Sequence, residues 1–336
     1  LIKYPKLNFP ITVGVTAPSS GVHHSLHSIL ENAIKAMNNR GYRVVVTPNI
    51  WKQNKVRSDS SIKRAEEFMN LINNDDISIV IPPWGGELAI EILEHIQYES
   101  LKTKWVMGYS DISLLLLAIT LRTGTATAHG TNFIDMRGSK MDDTTKMWTK
   151  VLSTTMYNEV TQYSSEEFQS KWDFKNPTSY VFNFSEKTKW KSYGNNTEIS
   201  GRLLGGCIDV IRHLIGTEYG NVSKFQKEFI ESEPILWYFE NCSLSPVELK
   251  RSLVQMKLAG WFKNCSGILF GRTVIDEDKN GYSIKNVYSE MYEYLDLPVI
   301  FDIDCGHLPP QITLVNGAWA IVKVAKDKGT LTQKFI

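Results

Sequence analysis

The first 125 or so residues alternate between two periodicities. Short apolar runs rich in β-branched residues, at 11–17, 42–47, 77–81 and 105–108, read as strands. Between them, stretches at 25–38, 60–73 and 87–96 repeat their apolar residues three and four apart, and 112–122 is strongly apolar; all four read as helices. Gly41 stops the first helix, and Ser60 or Ser61 is positioned to cap the second. This strand–helix rhythm predicts an α/β fold: a parallel, doubly wound sheet of the Rossmann-like kind.

From about 135 to 197 the pattern weakens. The stretch is polar and aromatic and carries Trp148, Trp172 and Trp190. A long segment of weak periodicity is either functional or a solvated connection. Regular pattern returns at 199–206, a strand expected to end in a turn at Gly205-Gly206. Helices are expected at 209–216 and 245–260, the second with Pro246 in its first turn. Strands are expected at 235–240, 268–272 and 298–303. Runs at 311–315 and 318–324, joined by Asn316-Gly317, predict a hairpin with a type I′ turn. The expected division is an N-terminal Rossmann-like domain over 1–165, a connecting segment or active-site loop over 166–197, and a smaller mixed α/β domain over 198–336.

Composition narrows the partners. The 336 residues hold 37 Lys+Arg against 36 Asp+Glu, so neither a nucleic-acid polymer nor an anionic membrane is an expected partner. Cys207, Cys242, Cys265 and Cys305 are scattered, which points to reduced thiols rather than a zinc site or disulfide framework. No apolar run approaches the roughly 20 residues of a membrane span, and no leader pattern opens the chain, so the default expectation is cytoplasmic. Phosphate-binding glycine motifs are missing. His23, His24 and His27 lack the glutamate of a zinc-protease helix. Neither a metal nor a cofactor is expected.

Candidate chemistry sits at predicted strand ends. Gly108-Tyr109-Ser110-Asp111 joins a strand to an apolar helix, the setting of a nucleophile elbow, although Ile112 stands where that motif has a second glycine. A Ser-Asp pair before a helix is also an ordinary cap. Pro82-Pro83-Trp84-Gly85-Gly86 closes another strand, and adjacent glycines let backbone N–H groups approach a substrate. His307 lies in Cys305-Gly306-His307-Leu308-Pro309-Pro310, a constrained loop. Glu240 ends an apolar strand, where a partly desolvated carboxylate needs a partner such as a histidine N–H.

Together these residues resemble the LD-carboxypeptidase group of serine peptidases, which includes murein tetrapeptide carboxypeptidases and microcin C immunity proteins. The elbow at 108–111, the Gly85-Gly86 turn, Glu240 and Gly306-His307 match in order over nearly the whole chain. The resemblance implies a Ser110–Glu240–His307 triad, an oxyanion hole from the N–H groups of Gly86 and Asp111, and a homodimer. Its immunity-type branch is similar in the Pro-Pro-Trp-Gly-Gly-Glu turn, and implies that an aromatic, Trp172 or Trp190, stacks on a nucleobase, with Gly85 as a further substrate-binding residue. The expected substrate is then an aminoacyl-nucleotide-like or short peptidyl amide. Murein tetrapeptide and a binding role without turnover are the rivals.

Overall fold

In the computed structural model, residues 1–172, 177–193, 198–275 and 280–336 are described. They form two α/β layers, each a sheet flanked by helices. The first sheet has six strands in the order Leu314–Asn316, Thr127–His129, Trp105–Gly108, Ile79–Val80, Thr12–Val15, Arg43–Val46. All neighbours are parallel except the outer pair, Leu314–Asn316 against Thr127–His129. The second sheet has eight strands: Glu159–Tyr163, Lys328–Lys334, Trp319–Ala325, Glu198–Cys207, Ile235–Glu240, Cys265–Gly271, Val299–Ile303 and Lys191–Tyr193. Its central strands are parallel and its flanks antiparallel.

Helix Ile112–Thr123 explains how the two layers meet. Ten of its twelve residues are buried, so it has no solvated face, as expected of a helix that is apolar all round. It packs on Trp105–Gly108 and Thr127–His129 of the first sheet and on Glu198–Cys207 of the second. Gly124, left-handed at φ 67°, closes it.

Several expectations are corrected. Residues 311–324 form no hairpin: Leu314–Asn316 pairs with Thr127–His129, while Trp319–Ala325 pairs with Glu198–Cys207. The hairpin lies one strand later, between Trp319–Ala325 and Lys328–Lys334. Its two loop residues, Lys326 and Asp327, both have positive φ, as a type I′ turn requires. Gly205-Gly206 is no turn either; both glycines pair in register with Tyr238 and Phe239, and the strand runs on to Cys207. The helix expected at 87–96 is a 3-10 helix, Ala89–His95. Residues 209–216 divide into a short helix, Ile208–Ile211, and a 3-10 turn, Arg212–Leu214. The segment after 135 holds a helix, Met147–Leu152, and strands of both the second sheet and a small hairpin, Glu167–Phe168 with Glu186–Lys187. Strand Glu159–Tyr163, within the range expected of the first domain, belongs to the second sheet.

All four cysteines are free. No helix among the described residues is long and apolar enough to cross a membrane.

Candidate active site

Parallel strands place their following loops along one edge, and here five adjacent loops line one cleft, with Gln53 on the loop after Arg43–Val46. Ser20 and Gly21 follow Thr12–Val15, the turn with Trp84, Gly85 and Gly86 follows Ile79–Val80, Ser110 follows Trp105–Gly108, and Asn132 follows Thr127–His129. His307 closes the cleft from the second sheet, leaving a volume of about 380 Å³.

Ser110 has φ 63°, a left-handed conformation that is unfavourable for a residue with a side chain. It is not a helix cap, and neither does the Asp111 side chain cap the helix. Instead the Ser110 hydroxyl lies 3.0 Å from Nε2 of His307, and His307 Nδ1 lies 2.7 Å from Oε2 of Glu240. Glu240 only accepts, so Nδ1–H donates to it and Nε2 is left to accept from the serine.

Two glycines make this approach possible. A side chain at Gly306 would place its Cβ 2.6 Å from Oε2 of Glu240, and the residue has φ 106°. One at Gly85 would sit 2.6 Å from Cβ and 2.7 Å from Oγ of Ser110. The Asp111 N–H lies 3.1 Å from that Gly85 position, and among the described residues neither it nor the Gly86 N–H donates to a protein acceptor. The Asp111 carboxylate faces away from the cleft. It accepts from the Ser19 hydroxyl at 2.5 Å and the Ala89 N–H at 2.8 Å, joining three of the cleft's loops. Burial raises its pKa, an effect those hydrogen bonds oppose.

Glu240 is fully buried. Burial alone would push its carboxyl up, but His307 and His129 outweigh this and hold it well below the usual carboxylate range. Burial likewise disfavours the His307 imidazolium, yet Glu240 reverses the balance and raises the histidine above its ordinary value. The arrangement therefore stabilises a proton received by His307.

The His307 loop is held from behind. Arg272 donates to Asp304 at 2.7 Å and to the carbonyls of Leu308 and Pro310 at 2.9 and 3.0 Å. Asp304, fully buried, also accepts from the Ser165 N–H and from Nε1 of Trp190. Trp190 is thus a core residue with no exposed surface, which removes it as a stacking platform. Trp172 is half-buried and donates its indole N–H to the His307 carbonyl at 3.0 Å.

Sequence reasoning overlooked Tyr109, Asn132, His129 and the Arg272–Asp304 pair. Tyr109 packs edge-on against the His307 ring, with centroids 5.1 Å apart, and its hydroxyl donates to Asp135. Asn132 accepts the Tyr109 N–H. Their one sequence signal is position: Asn132 and His129 fall at a strand end beside Ser110.

Two family models match the chain, the LD-carboxypeptidase N-terminal domain over residues 13–130 and the LD-carboxypeptidase C-terminal domain over 200–322. A putative carboxypeptidase of Vibrio cholerae is 24% identical, the match covering 91% of this chain and 90% of that protein. The microcin C7 self-immunity protein MccF of Escherichia coli is 24% identical, over 99% of this chain and 97% of its own length. A solved structure of MccF in complex with aspartyl sulfamoyl adenosine superposes with a TM-score of 0.83 at 20% identity, covering 100% of this chain and 99% of that one. The superposition establishes a shared fold.

Proposed function

The chain belongs to the LD-carboxypeptidase family, and on that premise we propose that it is a serine-type amidase in which Ser110 is the nucleophile, His307 the general base and Glu240 its orienter. One observation carries this reading: a single imidazole bridges the strained Ser110 hydroxyl and a buried carboxylate.

In the proposed reaction His307 takes the Ser110 proton as the hydroxyl oxygen attacks an amide carbonyl. The N–H groups of Gly86 and Asp111 hold the resulting oxyanion, each contributing about 3 kcal/mol to the transition state. His307 returns the proton to the leaving amine. Water then attacks the acyl-enzyme with His307 again as base, releasing the acid and restoring the serine.

The proposed substrate is an aminoacyl or peptidyl nucleotide, the class to which the ligand bound by MccF belongs, with immunity or detoxification as the outcome. Gly85 borders the reacting carbonyl. Trp172, whose indole N–H donates to the His307 carbonyl, is the aromatic we propose to stack on the base, a contact of about 1–3 kcal/mol. We assign the nucleophile to a Rossmann-like domain within 1–165, less the strand Glu159–Tyr163, and Glu240 and His307 to 198–336; 166–197, of which 173–176 and 194–197 lie outside the described residues, is the proposed connecting segment or active-site loop. A cytoplasmic homodimer completes the proposal.

The test is hydrolysis of aspartyl sulfamoyl adenosine beside murein tetrapeptide. Cleavage of the first, abolished by Ser110→Ala, is expected. Murein cleavage alone would move the substrate to peptidoglycan. Binding without turnover of either would leave a non-catalytic cleft protein.

A further inference from the structure

The buried side of Glu240 holds a second histidine that the reaction above does not use. His129 ends the strand Thr127–His129 of the first sheet and has no exposed surface. Its Nε2 lies 3.6 Å from Oε1 of Glu240, the oxygen that His307 leaves free. Among the described residues, neither that nitrogen nor that oxygen has another hydrogen-bond partner. A buried carboxylate oxygen without a donor is strongly disfavoured. At 3.6 Å the contact is longer than a formed hydrogen bond, and contacts of this kind in unliganded sites commonly shorten when substrate binds.

The other ring nitrogen is compatible with a proton on Nε2. Nδ1 of His129 lies 3.8 Å from the Cys305 sulfur. Burial raises the Cys305 thiol well above its ordinary pKa, so it keeps its proton and serves as a weak donor. Nδ1 can accept from it, and because Oε1 of Glu240 can only accept, the ring proton is assigned to Nε2, facing Glu240. Tyr238 and Tyr109 pack edge-on against the ring, with centroids 5.5 and 6.4 Å away, and fix its plane.

We propose that His129 is a positioning residue for the relay, donating Nε2–H to Glu240 and so fixing the carboxylate that orients His307. This rests on the triad assigned above. It also means that Glu240, on the second sheet, is held by a group on the first.

The effect on protonation has a definite sign. A donor to Glu240 stabilises the Glu240–His307 pair most when His307 is neutral, because the imidazolium then no longer shares the negative charge. Losing the donor raises the pKa at which the pair takes up a proton. Tyr109, Asp135, Cys207, Cys242, Cys305 and Tyr238 are the other titratable groups around the pair.

His129→Leu removes the donor, and His129→Gln keeps an N–H able to reach the same oxygen. The leucine variant is expected to lose about 10- to 100-fold in kcat with KM changed less than about twofold. The acid limb of its kcat/KM profile should move to higher pH. Glutamine should restore most of kcat and the position of the limb. Ser110→Ala runs alongside. Residual turnover there would overturn the triad itself, whereas a dead Ser110→Ala beside a His129→Leu variant with unchanged kcat and limb would overturn only the role of His129. Nitrogen-15 NMR of the wild-type chain gives a reading that needs no variant to fold. The Nε2–H tautomer is expected at His129, and the Nδ1–H tautomer would refute the proposal.

Discussion

The two walls of the cleft hold their reactive atoms by different means. On the first sheet's side, Ser110 is presented by backbone: a left-handed residue, a glycine lying against it, and N–H groups at a helix start. On the second sheet's side, His307 is held by buried charge, with Glu240 before it and the Arg272–Asp304 pair behind it. Backbone shape fails sterically and without reference to pH. Buried charge fails in proportion to the charge left unpaired, and its failure is visible in a titration.

The largest test of this contrast is Glu240→Gln. The amide keeps the shape but not the charge, so kcat should fall by about 10⁴-fold. Glu240 is what raises His307, while burial lowers it, so the acid limb of kcat/KM should move to lower pH in the variant. An unchanged limb would break the distinction between the walls. Arg272→Met comes next. It leaves Asp304 buried without its cation, and should cost about 3–5 kcal/mol in urea unfolding, part of which Asp304→Asn in the same chain recovers. Gly85→Ala probes the opposite wall: a Cβ against Oγ of Ser110 should lower kcat by about 10²-fold with no movement of either pH limb. Trp172→Phe should have the smallest effect. It retains an aromatic ring but loses the N–H to the His307 carbonyl, for a change of about fivefold in kcat/KM.

The same contrast explains what could be read from the amino-acid order. The first wall is local. Strand, turn and helix follow one another within 105–123, so periodicity and two glycine-bearing turns located Ser110 and Gly85 directly. Glu240 and His307 were legible as strand-end residues, and their partnership came from a family resemblance, because they lie 67 positions apart. What holds them was invisible for the same reason. Asp304 draws its donors from Ser165, Trp190 and Arg272, three segments with no shared pattern. Trp190 looked like a platform because a tryptophan in a polar stretch resembles a binding residue, whereas its N–H is committed to Asp304 in the core. The mistaken hairpin is the clearest case. Asn316-Gly317 carries the right turn signal, but Leu314–Asn316 finds its partner at Thr127–His129, and local signals do not encode long-range pairing.

That crossing strand has a consequence during synthesis. Ser110 leaves the ribosome 197 residues ahead of His307, which at ~5–20 residues per second is about 10–40 s of elongation. Throughout that interval the first sheet lacks its outer strand, Leu314–Asn316, which follows His307 in the chain. Ser110 waits beside neither His307 nor a finished sheet. On the proposed assignment, the nascent chain gains its reacting pair only once residue 307 has emerged, shortly before the strand that closes the sheet.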